Sequence, residues 1–242
     1  MTGRFSYSNP NLQQIPARNK DLGPMIRSLF IPESGCEWGC FDYSQQEPRL
    51  VVHYASLDQD TSVFSVKDSY EDGDADFHTI VAKMADIPRD AAKTINLGLF
   101  YGMGKAKLQA ELGVSKFKAE ELFDKYHSRV PFVKQLMNEV MKAGSKKGQI
   151  KTLLGRRCRF PKYEPILRGS DWGKYIPPED EERMQDLQKM GPYIKNDEGE
   201  ILKDKDGNPQ KNYWHNNPTR RAFTYKALNK LIQGSAADMT KK

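Results

Sequence analysis

The sequence has 242 residues and carries 38 Lys or Arg against 32 Asp or Glu, a formal net charge of +6 with a pI near 9.0. This length permits a globular enzyme of one large or two small domains, and the basic charge favours a polyanionic partner if it is clustered, or simply a solvated surface if it is not. Three cysteines without a CxxC pair exclude a disulfide framework and a zinc site, and the lack of any apolar run near ~18 residues excludes a membrane span, so we expect a soluble, cytoplasmic protein.

The first part of the chain predicts extended backbone followed by one strand and one helix. Residues 1–35 are rich in Asn, Gln, Pro and Gly, which is typical of extended segments and turns. The aromatic-rich residues 37–43 predict a short strand, and the apolar spacing becomes helical over 48–56. Asp42 is therefore expected where a strand ends.

The central part of the chain predicts a block of helices. A loop over residues 68–76, rich in Asp and Gly, leads into a helix over 77–86, and Pro88 opens a longer helix that runs to residue 100. After a break at two glycines, two more helices are predicted over 116–128 and 132–146.

Residues 149–161 predict a hairpin that carries three arginines. Arg156, Arg157 and Arg159 lie close together in it, which suits phosphate binding, although a plain solvated turn is the alternative.

The segment over residues 162–217 is highly charged and rich in Pro and Gly, which predicts an inserted loop region with one hairpin. Its Asp-rich stretch at 204–207 lacks the first ligand and the closing Glu of a calcium loop, so we assign no chemistry to it. From Thr219 the apolar spacing is helical almost to the end.

Asp42 is the first candidate for chemistry. A carboxylate at the end of a half-buried strand is held rigidly and can ligate Mg²⁺. Phosphoryl transfer to a hydroxyl group needs two metal ions and therefore converging carboxylates, whereas the plainer interpretation makes Asp42 a cap for the helix near Pro48.

A stripe on the helix over residues 88–100 is the second candidate. Arg89, Lys93, Leu97 and Tyr101 are spaced by four, so they drift by about 40° per step and form one stripe roughly 18 Å long. Two cations followed by apolar groups could bind a triphosphate and then pack against sugar and base. The alternative is an ordinary amphipathic helix with solvated cations.

Four segments resemble, in order, the DNA polymerase I family, also called family A. They are residues 2–16, 42–47, 89–102 and 233–238. The similarity spans nearly the whole chain except the insertion. It implies an α+β fold, with the antiparallel sheet of a polymerase palm and inserted helical fingers. The domains it implies are an N-terminal palm part at 1–76, fingers at 77–128, a connecting helix and basic hairpin at 129–161, the insertion at 162–217, and a palm helix at 218–242.

The resemblance implies template-directed DNA synthesis with two Mg²⁺ ions. Asp42 resembles the palm aspartate that ligates both ions, and the Tyr43 carbonyl resembles a backbone ligand. Glu47 resembles the steric gate that fills the space of a ribose 2′-hydroxyl, and Tyr43 and Gln45 belong to the same deoxynucleotide-binding set.

The stripe is implied to bind the deoxynucleoside triphosphate. Arg89 and Lys93 resemble the triphosphate-binding pair, His78 resembles a histidine on the same phosphates, and Tyr101 would pack beside the gate. Leu97 stands where relatives usually carry a stacking aromatic, from which we expect slower incorporation and poor use of dideoxynucleotides. The implied catalytic residues are Asp42, Arg89, Lys93 and Tyr101.

The resemblance also implies contacts to primer–template DNA. Amide and guanidinium groups can reach minor-groove acceptors that all correct pairs share. The residues implied to contact DNA are Arg4, Asn11, Gln13, Arg18, Gly98, Asn229 and Gln233.

Two departures qualify the resemblance. Pro48 and Tyr225 replace residues that are common in the family, and the second metal-binding aspartate of the family would follow downstream of Asp238. We therefore expect the chain by itself to be inactive, and a phage origin fits the insertion and Leu97. The rival functions are a single-subunit RNA polymerase, which Glu47 disfavours, a catalytically dead nucleic-acid-binding module, and a scaffold protein.

Overall fold

The computed structural model describes residues 2–16, 19–57, 61–71, 76–100, 104–167 and 176–242. Helices dominate these ranges, and the strands in them are short. The helices are α1 (Leu22–Arg27), α2 (Gln46–Leu57), α3 (Phe64–Glu71), α4 (Phe77–Ala85), α5 (Arg89–Phe100), α6 (Lys105–Leu112), α7 (Lys116–Arg129), α8 (Pro131–Lys147), α9 (Glu181–Lys189) and α10 (Ala227–Lys241). The strands are β1 (Gln149–Lys151), β2 (Arg157–Arg159), β3 (Tyr163–Pro165) and β4 (Thr219–Arg221).

The helices of the central block begin and end at clear sequence signals. Asp76 caps α4 by accepting a hydrogen bond from the backbone N–H of His78, and Ser115 caps α7 in the same way. Pro131 is the first residue of α8, and Gly148 ends it with a φ of 65°, a left-handed conformation that favours glycine. These signals are local, and the helices predicted over 77–86, 116–128 and 132–146 are confirmed.

The strands form two small antiparallel sheets. β1 pairs with β2 in a hairpin, with Ile150 opposite Cys158, which confirms the hairpin predicted at this point. β3 pairs with β4 across the whole insertion, with Glu164 opposite Arg220. The expected mixture of helices and small antiparallel sheets is therefore correct, while the division into palm and fingers stays a prediction.

The main core is formed where α2, α4, α5, α7, α8 and α10 pack together. Phe77, Tyr126 and Phe132 are among its largest fully buried side chains. A separate small cluster lies in the insertion, where Met184 and Leu187 of α9 pack against Trp214. Among the described residues no helix is long and apolar enough to cross a membrane.

The strand predicted over residues 37–43 is wrong. The backbone there is irregular, and no described strand pairs with it. Trp38 is 70% exposed and Phe41 is 96% exposed, so the aromatic residues that suggested a strand do not reach the core. A strand is stable only when neighbours satisfy its backbone groups, and composition alone does not reveal the neighbours. Asp42 consequently lies on exposed, irregular backbone.

Three other predictions need correction. Residues 22–27 form α1 rather than extended chain, because the Asn19 side chain accepts hydrogen bonds from the backbone N–H groups at the start of this helix, where Pro24 is tolerated. The loop predicted to start at residue 68 starts after Glu71, since α3 extends to that residue. The C-terminal helix begins at Ala227 rather than Thr219, because 219–221 pair with β3.

The sequence analysis also missed α6 and α9. Gly104 and Gly113 delimit α6, and Asp180 caps α9 by accepting from the backbone N–H of Arg183 at 3.0 Å. In place of a regular hairpin, the rest of the insertion has isolated antiparallel bridges around two turns, at residues 196–200 and 204–208.

Candidate active site

The corner between α4 and α5 places three of the predicted site residues, His78, Arg89 and Lys93, near one another. Asp76 accepts a hydrogen bond from the Thr79 hydroxyl at 2.6 Å and from Arg89 Nε at 2.8 Å, and Arg89 Nε is also 3.2 Å from the Thr79 hydroxyl. The first residue of α5 is thus attached to the first turn of α4. His78 follows Asp76 directly, so the same cap fixes the start of the helix turn that carries it.

The charges of this corner influence each other. Burial raises the pKa of Asp76, but the hydrogen bonds from Thr79 and Arg89 outweigh it and hold that pKa below its usual range. Burial lowers the pKa of His78, and Arg89 and Lys93 lower it further against the opposing effect of Asp76. At neutral pH the corner therefore presents an ionised Asp76 and an uncharged imidazole.

The predicted stripe on α5 is exposed as far as its side chains are described. Lys93 is exposed and Leu97 is 38% exposed, whereas Ala92, Ile95 and Asn96 on the other side of the helix are buried. The helix is amphipathic, as the plainer interpretation requires, and its exposed side carries cations next to an apolar group. Tyr101 lies outside the described residues, and Gly98 is buried.

The first turn of α2 carries the predicted gate. Glu47 is partly buried and forms an ion pair with Arg4 of the N-terminal segment. Gln45, just before the helix, has a φ of 52°, and its Oε1 accepts hydrogen bonds from the backbone N–H of Phe77 at 2.8 Å and from Tyr70 at 3.2 Å. The Gln45 side chain therefore connects α2 to the start of α4, so the gate and the His78 corner belong to one assembly.

Asp42 and Tyr43 immediately precede this turn, and both are exposed. Tyr43 lines an open pocket of about 300 Å³ together with Leu50, Leu153 and Met239. This pocket brings the Asp42 segment next to the β1–β2 hairpin and the last turns of α10.

The residues present do not by themselves fit a pair of Mg²⁺ ions. Mg²⁺ takes oxygen ligands in near-octahedral geometry, and two ions need several carboxylate or carbonyl oxygens that converge. Asp42 supplies one carboxylate, and in the described part of the chain no group of three or more His, Cys, Asp or Glu side chains is placed to hold a metal.

The predicted DNA-contacting residues fall into two groups. In the N-terminal segment the Asn11 side chain accepts from the backbone N–H of Gln13, and Gln13 Nε2 donates to the Phe5 carbonyl at 3.0 Å, so both amides stabilise a local turn. On α10, Asn229 is partly buried and Gln233 is buried. Arg18 lies outside the described residues.

Arg156 joins these two groups, and the sequence analysis missed this role. Its guanidinium donates to the Thr2 carbonyl at 2.6 Å, to the Gly234 carbonyl at 2.9 Å and to Asp238 at 2.6 Å. A Cβ atom on Gly234 would approach the Thr152 methyl to 2.7 Å, so the hairpin packs tightly on α10 at this point. Of the three arginines predicted to bind phosphate, Arg156 is thus engaged within the protein.

Arg157 and Arg159 of the same hairpin are exposed. Among the three arginines of the hairpin, only these two have exposed side chains that could contact phosphate. The phosphate-binding interpretation therefore applies to Arg157 and Arg159 and not to Arg156. The solvated-turn alternative remains open for them.

Asn96 and Tyr126 are two further residues that the sequence analysis did not select. Tyr126 donates from its hydroxyl to Asn96 Oδ1 at 2.5 Å, and Asn96 Nδ2 lies 3.0 Å from His78 Nδ1. The signal that could have found Asn96 is a polar residue on the apolar side of an amphipathic helix.

Comparison with known proteins identifies the family of the chain. The sequence model of the family described as DNA polymerase family A matches residues 1–242. A DNA-directed DNA polymerase of Pseudomonas phage M6 is 34% identical over 99% of this chain, and a thermostable DNA polymerase I of Thermus aquaticus is 37% identical over 69% of it.

Among solved structures, the POL domain of Pol1 from M. smegmatis in complex with DNA primer-template and dNTP matches 99% of the chain with a TM-score of 0.61 and 26% identity. The chain spans 34% of the phage protein, 20% of the Thermus protein and 34% of the M. smegmatis chain. The similarity therefore concerns one part of a longer type of protein.

Proposed function

The chain belongs to DNA polymerase family A, and on that premise we propose that it forms the nucleotide-binding part of an enzyme that extends a DNA primer in replication or repair. In the proposed reaction the primer 3′-hydroxyl attacks a deoxynucleoside triphosphate, and pyrophosphate leaves. The observation that carries the proposal is the α4–α5 corner, where Arg89, Lys93 and His78 lie on two helices joined through Asp76.

In this proposal the corner binds the triphosphate. Lys93 and the remaining guanidinium N–H groups of Arg89 neutralise phosphate oxygens, and His78 donates a neutral hydrogen bond to the same group. Leu97 and Gly98 then lie toward the sugar, the base and the template. Tyr101, which lies outside the described residues, is assigned to the same ligand by the family resemblance alone. Fixed cations lower the barrier because charge that develops on the leaving pyrophosphate meets donors that need no reorganisation.

The start of α2 selects the sugar in this proposal. Glu47 occupies the position that a ribose 2′-hydroxyl would need, and Gln45 holds the gate against α4 through its bond to Phe77. Asp42 and the Tyr43 carbonyl would each offer one ligand to Mg²⁺, which would supply Lewis-acid stabilisation of phosphate oxygens. Since the second carboxylate of a two-metal site must come from elsewhere, we expect no primer extension by the 242 residues alone.

Primer–template DNA is the proposed macromolecular partner. Arg156 bonds to the carbonyls of Thr2 and Gly234, so it holds the segment that carries Arg4 against the part of α10 that carries Gln233. The proposed DNA-contacting set also includes Asn11, Gln13, Arg18 and Asn229. The relative of known structure binds primer-template and dNTP, which supports the same partners here. We place this activity in the cytoplasm, where primer–template DNA is available. For a gene of phage origin this is the cytoplasm of the host.

Nucleotide binding by the chain tests the proposal. We expect Lys93→Ala to weaken the binding of dATP in the presence of Mg²⁺ by about 10- to 100-fold, because a charge-assisted hydrogen bond to phosphate contributes about 1.5–3 kcal/mol. Isothermal titration at low salt measures the dissociation constant.

Lys142→Ala is the matched control, because it removes the same charge from an exposed site on α8. An equal loss of affinity in both variants, or binding of uncharged deoxyadenosine as tight as that of dATP, contradicts the proposed triphosphate site. Equal affinity for ATP and dATP contradicts selection of the deoxyribose.

A further inference from the structure

A chain of two hydrogen bonds connects the interior of the protein to His78. It starts at Tyr126 on α7, passes through the side-chain amide of Asn96 on α5, and ends at Nδ1 of His78 on α4. The donor–acceptor distances are 2.5 Å from Tyr126 to Asn96 Oδ1 and 3.0 Å from Asn96 Nδ2 to His78 Nδ1. The three residues therefore join three helices at one point.

Burial makes these bonds obligatory. Asn96 and Tyr126 are both 0% exposed, and a buried polar group without a partner costs about 1–3 kcal/mol. Burial also raises the pKa of Tyr126 far above its ordinary value, so the hydroxyl keeps its proton. That buried proton needs an acceptor, and Asn96 Oδ1 is the acceptor found among the described hydrogen bonds of this hydroxyl.

The Tyr126 proton determines which way the Asn96 amide faces. A carbonyl oxygen accepts and an amide nitrogen only donates, so a donor at Tyr126 selects Oδ1 on that side and leaves Nδ2 facing His78. His78 Nδ1 must then accept, and a neutral imidazole whose Nδ1 accepts carries its proton on Nε2.

The charged groups around His78 are compatible with a neutral ring. Asp76 precedes it at the start of α4, and Arg89 and Lys93 face it from α5. The Asp76 carboxylate already accepts bonds from Thr79, from Arg89 and from the backbone N–H of His78. The hydrogen bond described for the His78 imidazole is therefore the one with Asn96.

We propose that Asn96 is a positioning residue that, together with Tyr126, holds His78 as the tautomer with its proton on Nε2. The Nε2–H group is then a neutral donor for an anionic ligand at the α4–α5 corner. This identification of the ligand as a triphosphate rests on the function proposed above, whereas the tautomer and its cause do not.

Nitrogen NMR of the 242-residue chain tests the proposal directly. The chain has four histidines, so selective ¹⁵N-histidine labelling and long-range ¹H–¹⁵N spectra resolve each ring, and the His78→Gln variant assigns the signals of His78. We expect the pattern of a neutral ring protonated on Nε2 at pH 7.5. A ring protonated on Nδ1 in the unmodified chain overturns the proposal.

Tyr126→Phe tests the cause of the tautomer. It removes the hydroxyl group but keeps the shape of the side chain, so the amide of Asn96 loses the donor that orients it. We expect His78 to become a mixture of both tautomers. Tyr54→Phe is the matched control, because its hydroxyl is bonded to Ser235 instead. His78 signals that are the same in Tyr126→Phe as in the unmodified chain overturn the proposal.

Asn96→Asp provides a second, opposite change. A carboxylate has only acceptors, so we expect the proton of His78 to move to Nδ1 and its pKa to rise by about 1 to 3. The rings of His53 on α2 and His215 in the insertion are internal controls, and a change of the His78 signals no larger than theirs counts against the proposal.

Titration of the same samples with dATP separates this proposal from the proposed function. Loss of one neutral hydrogen bond of about 1 kcal/mol predicts about a fivefold weaker affinity in Tyr126→Phe. A chain that shows the expected tautomers but binds no dATP refutes the nucleotide site and supports the positioning role of Asn96.

Discussion

The α4–α5 corner and the extended segment over residues 29–43 carry the two halves of the proposed chemistry, and they are built in opposite ways. In the corner, Phe77 and Asn96 are 0% exposed and the functional groups are attached to one another by hydrogen bonds. In the segment, Ile31 is 77% exposed and Phe41 is 96% exposed, and Asp42 lies on irregular backbone. The comparison indicates that the residues proposed to bind phosphate are held by helix packing, whereas no described strand holds the backbone of Asp42.

The largest expected difference between the two regions is in stability. Phe77→Ala should lower the free energy of unfolding by about 3–5 kcal/mol, because it leaves a cavity in a fully packed core. Phe41→Ala removes the same atoms from an exposed position and should change it by less than about 0.5 kcal/mol. Urea unfolding followed by circular dichroism measures both values.

A loss at Phe41 comparable with that at Phe77 would show that the extended segment is packed in solution. In that case the contrast between the two regions would disappear. A small loss at Phe77 would contradict the packed corner instead.

A smaller effect is expected where Arg156 attaches the N-terminal segment to α10. Arg156→Ala leaves the mostly buried carboxylate of Asp238 without its ionic partner, and it removes the bonds to the Thr2 and Gly234 carbonyls. We expect a loss of about 1–3 kcal/mol, toward the lower end because Arg156 is partly exposed to solvent. Arg157→Ala, on the exposed side of the same hairpin, is the control and should have almost no effect.

The pH dependence of this loss identifies its source. Burial raises the pKa of Asp238, but the bonds from Thr152 and Arg156 outweigh it and hold that pKa below its usual range. A lowered carboxyl pKa contributes stability that is present above the unfolded value and lost as the pH falls through the folded one. The difference between Arg156→Ala and the unmodified chain should therefore shrink below about pH 4, and a constant difference would exclude the Asp238 pair as its cause.

The sequence was sufficient for features that depend on neighbours along the chain. The central helices were predicted within a few residues from their apolar spacing and from breaks at Pro and Gly, and the structure shows local caps at Asp76 and Ser115 and a proline at the start of α8. The strand over 37–43 failed because a strand is defined by its partners, which aromatic composition does not name.

Much of the candidate site lay beyond sequence reasoning for the same reason. His78 and Asn96 are 18 positions apart, and Asn96 and Tyr126 are 30 apart, so only packing brings them together. The family resemblance supplied Arg89, Lys93 and His78 by position. The resemblance did not supply Asp76 and Asn96, the two residues that hold these side chains in place. The structure shows Asp76 as a helix cap and Asn96 as a polar residue on the buried face of α5.

The smallest expected effect is at the ion pair between Arg4 and Glu47, where the extended N-terminal segment meets α2. The Arg4 side chain is 54% exposed, so water screens the pair, and a double-mutant cycle with Arg4→Ala and Glu47→Ala should give a coupling of about 0.2–1 kcal/mol in urea unfolding. Lys67 and Glu71, an exposed pair within α3, provide a matched cycle. A coupling well above that of the α3 pair would mean that the pair is shielded and fixes the N-terminal segment on α2. A coupling equal to that of the α3 pair would mean that Arg4 can leave Glu47 and bind DNA at little cost in free energy. The proposed roles of Arg4 in DNA contact and of Glu47 as the gate require this.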